Sequence, residues 1–194
     1  MGTMNTQRST LAGWAGTEVV TSVAVRRSLA VVAFAAATAF GAKVAIPLPG
    51  TPVPFTLQPL FVLLAGAVLG SRLGARSQMA YLAAGVAGLP VFAAGGGAAY
   101  LLGPTGGYLM AYPLAAWLAG LRADRGTAGA AAGLLAGLAA IYAGGLAWLA
   151  VAGSATTAVA LGAAPFFLAD FVKAGIALLV ARRVGRRAGE LLRR

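Results

Sequence analysis

Two ionisable side chains hold most of the chemical interest of this sequence. Asp170 and Lys173 stand in Phe166-Phe-Leu-Ala-Asp-Phe-Val-Lys173, an otherwise apolar run. Three residues apart, they share one face of a helix. Inside an apolar span such groups are costly, so they pair or line a polar cavity. A span starting at residue 163, rising 1.5 Å per residue, puts them roughly 10–15 Å from its outer end. The spacing therefore points to a polar ligand site that opens outward. The competing reading is an ion pair that only pins a bundle, which is a poor source of stability. Pro52-Val-Pro-Phe-Thr-Leu-Gln58 adds Thr56 and Gln58 at the mouth of a second apolar stretch. Tyr100, Tyr108 and Tyr112 are ligand contacts, interface-belt residues or packing residues.

The missing residue types narrow the chemistry. There is no Cys and no His. Thiol nucleophiles, disulfides, imidazole bases and the commonest zinc ligands are thereby excluded. The acids are Glu18, Asp124, Asp170 and Glu190, and no two fall in one span. No Gly-x-x-x-x-Gly-Lys-Ser/Thr phosphate loop occurs, so the chain is not expected to hydrolyse ATP. Thr56 or Ser77 as a nucleophile lacks an obvious base. The expectation is a protein without catalysis, metal or cofactor.

The elements that position these residues are set by the membrane. Of 194 residues, 60% are hydrophobic and 10% charged, against about 25% charged in soluble domains. The composition predicts an all-α integral membrane protein, a bundle of six transmembrane helices. The spans fall at 28–45, 55–70, 77–91, 107–120, 128–152 and 163–181. Between them lie the Pro-rich loop 46–54, a basic turn at 71–76, a Gly-rich loop at 93–100 and a charged turn at 121–126. Proline cannot continue a helix, so loop 46–54 is extended and rigid. The Pro-rich and Gly-rich loops share one side and are placed to form a lid and cradle over a site.

Charge fixes the orientation. Apart from Lys43 and Lys173, every basic residue lies in the N-terminal tail, the 2–3 turn, the 4–5 turn or the C-terminal tail. By the positive-inside rule both termini are cytoplasmic. The division is a polar tail at 1–25, a membrane domain at 26–182 and a basic tail at 183–194. No cleaved signal peptide is expected. The net charge of +11 is read as a match to anionic lipid head groups rather than to nucleic acid. Small residues make flat faces for close helix contact: Ala33 and Ala37 in the first span, or Ala35 and Ala39 overlapping them, and Gly129, Gly133 and Gly137 in the fifth.

Several strings then carry a resemblance. They are Ile46-Pro-Leu-Pro, Pro52-Val-Pro-Phe-Thr-Leu-Gln58 and Leu64-Ala-Gly-Ala-Val-Leu-Gly70. Tyr81-Leu-Ala-Ala-Gly-Val-Ala-Gly-Leu-Pro-Val-Phe92, the Gly-rich loop and Gly103-Pro-Thr-Gly-Gly-Tyr108 follow in order. Together with Asp170 and Lys173, this resembles the BioY family over roughly residues 28–182. That family comprises the biotin-binding S components of energy-coupling factor (ECF) transporters. The resemblance implies a multi-pass protein of a bacterial cell membrane that captures biotin from outside. It implies that transport is driven by a separate module of two cytoplasmic ATPases and a transmembrane coupling protein. The face of Ala33 and Ala37 matches the family's contact with that coupling protein. In the site, Lys173 is expected to neutralise the biotin carboxylate, while Asp170 positions Lys173 or accepts a ureido N–H. Thr56, Gln58 and Tyr108 are further ligand candidates, followed by Tyr81 and Tyr112. Two alternatives stand beside this reading: a stand-alone carrier, monomeric or dimeric, and an S component for another vitamin.

Overall fold

Residues 23–193 are described by a computed structural model. Helix α1 (Val23–Lys43) leads into a small antiparallel hairpin, β1 (Ala45–Ile46) and β2 (Phe55–Thr56), in which Ala45 pairs with Thr56. The prolines of 46–54 form the hairpin's loop, as their fixed φ requires. Helices α2 (Gln58–Leu69) and α3 (Ser71–Val86) follow. A short 3-10 turn at Ala98–Leu102 precedes α4 (Gly106–Gly120), α5 (Gly126–Ala152), α6 (Ala155–Gly162) and α7 (Phe167–Arg193).

Several boundaries differ from the sequence reading. Helix α1 begins three residues inside the tail expected at 1–25; the rest of that tail lies outside the described residues. The expected turn at 71–76 is instead the start of α3. The reversal is concentrated at Gly70, whose φ of 82° is accessible to glycine without a Cβ penalty. The expected sixth span is interrupted at 163–166, where Pro165 lacks an N–H and disfavours helix before it. An additional helix, α6, precedes the break, capped by Ser154 Oγ accepting from the Thr157 N–H at 3.1 Å. The basic segment expected as a tail from 183 continues α7 as helix to Arg193. Its inner side is docked: Leu192 is buried, and Arg27 Nε donates to the Leu192 carbonyl at 2.9 Å. Arg182, Arg183 and Arg187 face outward.

By length and composition, α1 and α5 each suffice to cross a membrane, and α6 with α7, bent by 57°, makes a third candidate. Helices α2, α3 and α4 have 12, 16 and 15 residues. At 1.5 Å per residue they are about 18, 24 and 22 Å long, short of a hydrocarbon layer of about 30 Å. Helix α2 is the interior one, packed against both α4 and α7, whereas α3 and α4 keep exposed apolar side chains such as Met79 and Leu114.

Close packing depends on small residues, as expected for a bundle that gains little from hydrophobic burial in lipid. A Cβ on Gly133 would press on the Ala119 carbonyl, and one on Gly137 on the Ala115 carbonyl. The glycine face of α5 is thus its contact with α4. In α1, Ala35 and Ala39 pack on the core, whereas Ala33 is exposed and Ala37 half-buried. The overlapping pair Ala35 and Ala39 therefore faces inward. Gly66 of α2 is tight against α4, because a Cβ there would collide with the backbone carbonyl of Ala116. Gly66→Leu is expected to destabilise the bundle by about 3 kcal/mol or more, since backbone cannot yield as a side chain does. Gly175→Leu, with nothing within 4 Å of its Cβ, is the control. Thermal melting in detergent should drop for the first and stay near wild type for the second.

Candidate functional site

The break before α7 determines where its charges lie. Asp170 falls in the first turn of α7, about 4.5 Å along the helix from Phe167, with Lys173 about 9 Å along. A carboxylate suits this helix end, where unpaired N–H groups leave partial positive charge. Lys173 Nζ donates to Asp170 Oδ1 at 2.7 Å and to the Thr56 carbonyl at 2.7 Å. It also lies 3.8 Å from the centroid of the Phe55 ring, a cation–π distance. Both side chains are nearly buried, at 6% and 7% exposure. The second carboxylate oxygen, Oδ2, accepts from the Tyr142 hydroxyl at 2.7 Å.

Asp170, Lys173 and Tyr142 line one cavity, together with side chains from several other elements. The hairpin loop contributes Val53 and Pro54, and the Gly-rich segment contributes Ala93 and Tyr100. Both loops thus contribute walls of the cavity. They are tied down by Thr51 Oγ1 donating to the Leu161 carbonyl at 2.7 Å and by Lys43 Nζ donating to the Phe92 carbonyl at 3.0 Å. Ile141, Leu109 and Phe166 supply apolar lining.

Of the residues singled out in the sequence, Thr56, Gln58, Tyr108, Tyr112, Asp170 and Lys173 all line the cavity. Tyr81 stands behind it. Its hydroxyl accepts from Gln58 Nε2 at 2.7 Å and donates to the Val91 carbonyl at 3.2 Å. Thr56 Oγ1 donates to Gln58 Oε1 at 3.1 Å, so Gln58 is oriented from both ends. Tyr108 donates to the Gly162 carbonyl at 2.9 Å. Tyr112 differs from the rest. It is 3% exposed, and among the described residues it is the tyrosine whose hydroxyl has no hydrogen-bond partner. The hydroxyl oxygen is not itself enclosed, so it is open to the cavity that Tyr112 lines. Tyr100, also singled out in the sequence, lines the cavity too, whereas Tyr142, Phe55 and Thr105 were not expected there. Tyr142 had a signal: it is the one hydrogen-bonding side chain in α5 between Ala128 and Trp148.

Lys173 is engaged on three sides within the protein. Its charge is balanced by Asp170, and two of its three donors are taken by Asp170 and the Thr56 carbonyl, with the Phe55 ring beside it. The open polar positions are the remaining lone pairs of Asp170, which accept, and the Tyr112 hydroxyl, which donates.

A sequence model described as the BioY family matches residues 9–190. The chain is 45% identical over 152 residues to a probable biotin transporter BioY of Pyrococcus horikoshii, covering 78% of this chain and 91% of that protein. It is 42% identical over 155 residues to the biotin transporter BioY of Thermotoga maritima, covering 78% and 90%. Its fold resembles the crystal structure of the S-component for biotin from an ECF-type ABC transporter. That match has a TM-score of 0.76 and 28% identity, covering 82% of this chain and 90% of that one.

Proposed function

The chain belongs to the BioY family, and from that premise we propose that it captures biotin as the S component of an ECF-type importer. The observation that carries the proposal is the pairing of an open acceptor, Asp170, with an unpartnered donor, Tyr112, on one largely apolar cavity. A ureido group presents N–H donors beside a carbonyl acceptor. It complements that pair, and its neutrality suits an Asp–Lys ion pair already balanced in charge. A carboxylate at the same place would face Asp170 and be repelled. The biotin carboxylate is assigned instead to the cavity wall at Thr105, which stands at the N-cap position of α4 without a side-chain capping bond, where the helix favours anions. The thiophane ring and its chain lie against Ile141, Leu109 and Phe166.

Six membrane spans, α1 to α5 and the bent pair α6–α7, fit the distribution of arginines, with both termini on the cytoplasmic side. The membrane is then a cell membrane, with the cavity facing outward. Transport requires energy from elsewhere: a transmembrane coupling protein and two cytoplasmic ATPases, docked through the outward face of α1 at Ala33 and Ala37.

The test is equilibrium binding of biotin to the full chain purified in detergent, with riboflavin and thiamine as controls. Saturable biotin binding at nanomolar to low-micromolar concentration, absent for both controls, is expected. Tight binding of another vitamin instead of biotin would reassign the ligand.

A further inference from the structure

We infer that Tyr142 is a positioning residue that sets the site's preference for an uncharged N–H edge over a cationic one. This rests on the biotin reading above and deepens it. Tyr142 comes from α5 and Asp170 from α7, so their 2.7 Å hydrogen bond crosses the cavity between two helices. Each Asp170 oxygen thus receives one donor from the protein, Lys173 on Oδ1 and Tyr142 on Oδ2. Two anchors at right distances fix the plane of the carboxylate. They also draw its charge toward the protein and away from the ligand. What remains for the ligand is a lone pair of fixed direction and reduced negative potential. A neutral ureido N–H fits it.

Removing the Tyr142 hydroxyl changes this balance in a definite direction. Oδ2 is left buried without a donor, and Asp170 presents more negative charge to the cavity. A ligand that brings an additional, charged donor recovers part of the loss. 2-Iminobiotin is such a probe, because a guanidinium-like group replaces the ureido carbonyl. Desthiobiotin keeps the ureido group and changes only the sulfur side, so it reports on general packing.

The experiment measures binding of biotin, 2-iminobiotin and desthiobiotin to the full chain in detergent, for wild type and Tyr142→Phe. Biotin and desthiobiotin are expected to weaken together by about 10-fold, the effect of losing a hydrogen bond to a charged group. 2-Iminobiotin should weaken less, shifting the biotin to 2-iminobiotin affinity ratio by about 5-fold toward the cation. Tyr142→Met, which also lacks the donor, should shift the ratio the same way, and serves if the first variant folds poorly. Equal loss for all three ligands, or no loss, overturns the inference and leaves Tyr142 a packing residue. Wild-type protein that binds none of the three overturns the biotin reading and this inference with it.

Discussion

Lys173→Ala is expected to abolish measurable biotin binding and to destabilise the folded protein. The ammonium holds three things together: Asp170 of its own helix, the Thr56 carbonyl at the base of the hairpin and the face of Phe55. Truncation leaves Asp170 as a buried, unpaired carboxylate. Breaking a buried pair from one side costs about 3–5 kcal/mol, and burial at 6–7% exposure leaves little solvent to screen it. Asp170 then loses the anchor on Oδ1 and is held by Tyr142 alone, which displaces the acceptor assigned to the ureido N–H. Loss of affinity is expected to exceed about 100-fold, equivalent to about 2.8 kcal/mol. Instability alone would give the same reading, so a second variant separates the causes. Asp170→Asn combined with Lys173→Met removes both charges together, which in buried pairs is often neutral for stability. Its melting temperature should lie near wild type while biotin binding stays at least about 100-fold weaker. Wild-type affinity in the well-folded double variant would remove Asp170 and Lys173 from the site.

The same pair shows how much of the site a sequence reveals. A charge in an apolar run is costly enough to stand out, so Asp170 and Lys173 were visible at once. The number of available donors on Lys173 was not. It depends on Phe55 and Thr56, more than a hundred residues away, meeting the ammonium in space. Tyr142 was overlooked for the opposite reason. A lone hydroxyl lowers the hydropathy of α5 very little, and only its distance to Asp170 gives it significance. The glycine strings of α5 announced close packing correctly, because no other residue fits against the Ala115 and Ala119 carbonyls.

Boundaries failed where averaging over apolar residues hid a local signal. Pro165 lay inside the expected sixth span, yet proline restricts the residue before it and removes an N–H. The chain breaks there, and Asp170 moves from mid-span to a helix start. Arg72 and Arg76 lie in α3 rather than in the expected basic turn at 71–76. Arginine is a good helix former, and the reversal needs only Gly70. The Arg-rich end of α7 is likewise helix rather than the expected basic tail. Its small and apolar residues, Ala181, Gly185, Ala188 and Leu192, recur every three or four positions and line its inner side.

Ala33→Trp, and separately Ala37→Trp, are expected to leave biotin capture intact and to stop uptake. On α1, Leu29, Val32, Ala33 and Phe40 face outward, and the small residue lies between larger ones as a shallow recess. Among the described residues Ala33 is exposed and Ala37 half-buried, so an indole is more easily accommodated at Ala33 than at Ala37. The cavity lies on the other side of the core, walled by the hairpin, α4, α5 and α7. Biotin affinity of the purified variants should therefore stay within about 2-fold of wild type. Helix contacts built on small residues depend on close backbone approach, and an indole at their centre holds the partner away. Biotin accumulation in cells carrying the whole importer should fall at least about 10-fold. Ala39→Trp is the contrasting control. Ala39 packs on the core, so that variant should lose stability and binding together. Wild-type uptake by both Ala33→Trp and Ala37→Trp would reject this face as the coupling surface. Uptake by the unaltered chain in cells lacking every coupling component would favour the stand-alone carrier instead, since such a carrier needs no docking face at all.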